Sequence, residues 1–125
     1  MFDMDEVVNR QIELQKAYGT YPVQSDSDRN AILTDNILAL EDELHEAMSE
    51  YDWKRWSDSS VMDVERVKDE LRDAFQFFVN CMVTVGMTPD ELYAKLLAKQ
   101  EINWGRIHNN YKARIAHQVD VEEMQ

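Results

Sequence analysis

Glu70-Leu71-Arg72-Asp73-Ala74-Phe75-Gln76-Phe77-Phe78-Val79-Asn80 carries two helical faces at once. At about 100° per residue, Leu71, Phe75 and Phe78 join Val64, Val67 and Met82 in an apolar stripe. Glu70, Asp73, Phe77 and Asn80 line a second, adjacent face. A helix that only meets water has no need of carboxylates that lead into a phenylalanine and an asparagine. Such a line suits a pocket floor, with a metal end and a flat apolar end able to meet a base.

The preceding helix repeats the acidic theme. Its apolar stripe reads Leu33, Ile37, Leu40, Leu44, Ala47, Met48 and Tyr51. Glu43, Glu46 and Glu50 fall together beside it, with Asn36 near them. Glu43 with Glu46, and Glu70 with Asp73, are like-charged pairs at i, i+3, each costing its helix roughly 0.2–0.5 kcal/mol. A divalent cation would offset that repulsion, and Mg²⁺ prefers oxygen ligands supplied by a few carboxylates and substrate phosphates. Either pair alone also fits a solvated acidic face, and Phe77 alone fits a core position.

Punctuation along the chain predicts long helices with short connections, since there are 3 glycines and 2 prolines in 125 residues. The first helix spans roughly Met4 to Tyr18, ended by Gly19 and the Tyr21-Pro22 break. The second opens near Ser25 or Ser27, both suitable N-caps. Asp52 to Ser60 reads as a loop, and Ser60 with Asp63 resembles a capping box for a third helix ending at Val85, with Gly86 at C′. Thr88-Pro89-Asp90-Glu91 opens a fourth helix that runs to about His108. The expected class is all-α, a bundle of four to five helices over residues 1–112 with a tail at 113–125.

Composition narrows the function. A net charge of −12 and a pI near 4.5 argue against binding nucleic acid through overall charge. Cys81 is the sole cysteine, so no intrachain disulfide forms, and a reducing compartment with an inert thiol is expected. No apolar run is long enough to span a membrane and no signal-peptide pattern opens the chain, so the cytoplasm is the expected location. His45, His108 and His117 lack zinc-site spacing. Lys95, Lys99, Asn103 and Arg106 align on the fourth helix, where the cations could receive phosphate oxygens or simply face water.

Taken in order, these parts resemble a known group. Glu43-Leu44-His45-Glu46, Trp53-Lys54-Arg55-Trp56, the Glu70–Asn80 stretch, Gly86-Met87-Thr88 and Lys99-Gln100-Glu101-Ile102-Asn103-Trp104-Gly105-Arg106 with Tyr111-Lys112 are similar to the all-α nucleoside triphosphate pyrophosphatase superfamily (MazG-like). The closest likeness is to the dimeric dUTPases and the phage dCTP/dUTP pyrophosphatases. It covers roughly Leu40 to Lys112, with Leu14-Gln15 as a further match. Ile107 and Asn110 stand where the family pattern has Gln and Gly.

The resemblance implies hydrolysis of a deoxynucleoside triphosphate, dUTP or dCTP first, to the monophosphate and pyrophosphate. Relatives in the superfamily also take purine nucleotides. It implies Mg²⁺, with Mn²⁺ as substitute, on Glu43, Glu46, Glu70 and Asp73. Glu46, with Glu50 as the alternative, would act on the attacking water. Lys54, Lys99, Arg106 and Lys112 would hold phosphates. Gln15, Trp53, Phe77, Asn80, Asn103 and Tyr111 would enclose base and sugar. The implied role is control of a nucleotide pool, as in a phage-infected host cytosol.

Two working faces on the third helix also ask for partner helices, so a homodimer or a dimer of dimers is expected. A non-enzymatic reading stays open: an acidic helical interaction protein whose charged faces are only solvated.

Overall fold

The computed structural model describes residues 1–51 and 61–123, the stretch 111–123 as helical backbone. The described residues form α1 (Met4–Tyr18), α2 (Asp26–Ser49), α3 (Val64–Val85) and α4 (Pro89–Glu123), with no strand. The protein is all-α, as its punctuation requires.

Caps fix most of the boundaries. The Asp3 carboxylate accepts from the N–H groups of Asp5 and Glu6 and starts α1. Gly19, at φ 80°, closes α1 by donating to Gln15 and Lys16 carbonyls, a left-handed turn that costs a side-chain-bearing residue more. Of the two serines offered for α2, Ser25 takes the role and accepts from the Asp28 N–H at 3.0 Å. Asp63 caps α3 through the Arg66 N–H at 3.2 Å, and Gly86 closes it at φ 73°. Ser60, the other half of the expected capping box, lies outside the described residues.

The fourth helix corrects one boundary. It continues past His108 to Glu123. No glycine or proline follows Gly105, and Ala113, Arg114, Ala116 and Gln118 all favour helix, so nothing stops it.

The chain divides into two units, Met1–Pro89 and Asp90–Gln125. In the first, α3 packs along α2 and against α1. The core holds Val8, Ile32, Ala47, Ala74, Val79 and Met82, of which Val79 and Met82 are wholly buried. The expected stripes are only partly inside. Along α3 the buried side chains gather in the C-terminal half, while Leu71 is 50% and Phe75 38% exposed. On α2, Ile37, Leu44 and Met48 are exposed. Beside that core, Gln11 and Gln15 of α1 face inward with Asn80 and Thr84, so polar groups share the interior. No described helix is long and apolar enough to cross a membrane.

Candidate active site

Glu43 and Glu46, one turn apart on α2, converge on Glu70 of α3. One carboxylate oxygen from each lies within 4.8 Å of the others. Glu43 Oε2 is buried and has no hydrogen-bond partner. Burial, a hydrogen bond shared with Glu70 and the charges of Glu46, Asp73 and Glu70 push the Glu43 carboxyl up to about 7. Glu46 also rises, first through its hydrogen bond to Glu70.

Asp73 stands outside the group of three. Its Oδ1 accepts from Arg72 Nε at 3.1 Å and pairs with Arg72 Nη2 at 3.0 Å, yet its charge still reaches Glu43. Glu50 is tied elsewhere, facing Arg66 at 3.5 Å. A crowded acidic group with an orphaned buried oxygen has a charge cost that a proton or a hard cation removes. The donor set is all oxygen, which suits Mg²⁺ or Mn²⁺.

The raised Glu43 carries a stability consequence. Its folded value of about 7 exceeds the ordinary 4.5, so its contribution is complete below 4.5 and is lost as pH rises through 7. Without divalent cations, the melting temperature is expected to fall between about pH 5 and about pH 8. Mg²⁺ should restore much of the loss at the higher pH and little at the lower. Melts at both pH values, with and without Mg²⁺, check this, and an equal Mg²⁺ effect at the two would contradict it.

Further along α3 the chemistry turns neutral. A cavity of about 140 Å³ is lined by Gln11, Gln15, Tyr18, Gln76, Phe77 and Asn80 among others. Gln15, Phe77 and Asn80, expected from sequence at a base, therefore meet in one place. Gln11, Tyr18 and Gln76 were not anticipated. Gln11 lies one turn before Gln15, so the paired amides on one face of α1 were the available signal. Gln11 Nε2 donates to Asn80 Oδ1 at 2.8 Å, and Asn80 Nδ2 donates to Asn36 Oδ1 at 3.1 Å. The Thr20 hydroxyl donates to Gln15 Oε1 at 2.6 Å. From Glu70 to Phe77 the helix rises roughly 10 Å. A larger depression, about 430 Å³, lies among Asp3, Asp5, Glu6, Asn9, Arg10 and Glu13, none of which offers a ring to stack on a base.

A family model described as dUTPase matches residues 1–85, more than half of the chain. The chain belongs to the all-α dUTPase family. The dUTPase match contains both ends of the site, from Gln15 to Asn80, and stops where α3 ends. No curated protein matches the chain, nor does any solved structure.

Lys99, Asn103 and Arg106 are exposed on α4, beyond the dUTPase match and in the second unit. Trp53 and Lys54 fall outside the described residues, as do the side chains of Tyr111 and Lys112. Cys81 is half-buried, and burial pushes its thiol up, away from the reactive thiolate.

Proposed function

We propose that this dUTPase-family chain hydrolyses dUTP to dUMP and pyrophosphate, with dCTP the next candidate. One observation carries the proposal. Within the family match, α3 joins an acidic cluster with an orphaned Glu43 oxygen to an amide-lined cavity floored by Phe77.

In this reading Glu43, Glu46, Glu70 and Asp73 hold Mg²⁺, for which Mn²⁺ can substitute. When bound, the metal supplies charge neutralisation for the phosphates and a more acidic water. Glu46 orients the water and takes its proton, with Glu50 as the alternative. The water oxygen bonds to the α-phosphorus, the bond from that phosphorus to its β-bridging oxygen breaks, and pyrophosphate departs. Lys54, Lys99, Arg106 and Lys112 are assigned to the phosphates. Gln15, Trp53, Phe77 and Asn80 are assigned to the base, and Asn103 and Tyr111 to the sugar. We further propose a homodimer, supported by the exposed Leu71 and Phe75 on α3.

Pyrophosphate release from each deoxynucleoside triphosphate tests the reaction. dUTP is expected to lead, with activity lost in excess EDTA and regained with Mg²⁺ or Mn²⁺. A site that hydrogen-bonds its substrate rejects a mismatched one by up to ~10⁴-fold, so the ranking should be clear. If dATP or dGTP leads, the pyrimidine assignment fails and the pyrophosphatase survives. If no nucleotide is turned over, the chain is an acidic helical interaction protein instead.

A further inference from the structure

Three side-chain amides, one from each of α1, α2 and α3, form a chain anchored on a backbone carbonyl. The Ile32 carbonyl can only accept. Asn36 must therefore turn Nδ2 toward it, and does so at 2.9 Å. That leaves Asn36 Oδ1 to face Asn80, whose Nδ2 donates at 3.1 Å. Asn80 then offers Oδ1, which takes the Gln11 Nε2 donor at 2.8 Å. Each amide is forced by the one before it, and turning any of them over would set oxygen against oxygen or N–H against N–H. Asn80 is 6% and Gln11 7% exposed, so water is poorly placed to repair such a mismatch. With Nε2 held on Asn80, Gln11 turns its Oε1 to the other side, on a residue that lines the cavity with Phe77.

We infer that Asn36, which does not line that cavity, is a positioning residue for base selection: acting through Asn80, it fixes Gln11 as a hydrogen-bond acceptor matched to the N3–H of uracil. Cytosine carries a bare N3 acceptor at that position and would meet the Gln11 oxygen with repulsion. This inference rests on the proposal that the cavity takes the base of a nucleotide substrate.

The test compares kcat/KM for dUTP and dCTP in the wild type, Asn36→Ala and Asn36→Asp. The wild type should prefer dUTP. Asn36→Ala frees Asn80 and Gln11 to turn over, so the dUTP/dCTP ratio should shrink by about fivefold, the equivalent of one ordinary hydrogen bond. dUTP should lose while dCTP holds or gains. An Asn36→Asp carboxylate still accepts from Asn80 Nδ2, although its other oxygen must turn from the Ile32 carbonyl, so a folded variant should keep the ratio within about twofold of wild type, less than one ordinary hydrogen bond. If Asn36→Ala does not fold, Asn36→Leu fills the same space without hydrogen bonding and carries the same expectation. Equal losses on both nucleotides, with the ratio intact, would show Asn36 to be merely structural and overturn the inference. So would loss of the ratio in Asn36→Asp, or a wild-type preference for dCTP, and in each of these cases the pyrophosphatase reading stands. A wild type that hydrolyses neither nucleotide removes the proposed function and this inference together.

Discussion

Glu46→Gln is expected to lower turnover of dUTP by roughly 10²–10⁴-fold, the range for loss of a positioned proton acceptor. The fold should survive. Glu46 is exposed, and its hydrogen bond to Glu70 sets two carboxyl groups side by side, which pushes the Glu46 carboxyl up. A glutamine there can donate an N–H to Glu70, so the melting temperature in metal-free buffer should hold or rise. Asp73→Asn should cost activity comparably. It gives up the ion pair with Arg72, but that pair is largely exposed and contributes little to stability. Steady-state kinetics with Mg²⁺ in excess, alongside circular-dichroism melts, separate lost chemistry from lost structure. Near-native activity in either variant removes that residue from the machinery.

Phe75→Asp is expected to leave a monomer of 14.7 kDa where we propose that the wild type is a dimer. Phe75 and Leu71 are large, apolar and substantially exposed, although they lie on the stripe that reads as core. A second copy of the chain is the natural cover for such a surface. A carboxylate placed there would lose its water on association, a cost the interface cannot repay. Within the chain the substitution removes an edge-on contact of Phe75 with the Phe2 ring and a tilted one with the Phe78 ring, both at 6.3 Å between centroids, so the monomer should remain helical. Light scattering coupled to gel filtration decides. A wild-type mass of 14.7 kDa at micromolar concentration would end the dimer proposal, and a dimeric Phe75→Asp would move the interface away from α3.

The legible parts of the sequence were those set by local chemistry. Gly19 and Gly86 stop their helices because the left-handed turn favours glycine, and Ser25 and Pro89 mark starts for equally local reasons. Glu43 could be paired with Glu46 in advance because i, i+3 spacing fixes a face whatever packs on it, whereas the meeting of that pair with Glu70 was implied only by the family resemblance. The extent of α4 was not legible, since a run of good helix formers carries no stop signal. Nor was the division of the α3 stripe into a buried and an exposed half. Hydropathy shows which face is apolar, but not how far a neighbouring helix reaches along it. Gln11 was missed for a related reason. Its meaning comes from Asn80, 69 residues away, and an amide looks like a surface residue until a partner in the fold satisfies it.

The amide relay from Ile32 to Gln11 holds no ionisable group. At the other end of the site the Glu43 carboxyl is pushed up to about 7. Acidity therefore reaches one end of the site and not the other. On the proposed function, a shift in pH would act as a throttle on how fast nucleotides are cleared, while the fidelity with which one base is told from another stays constant for as long as the fold survives.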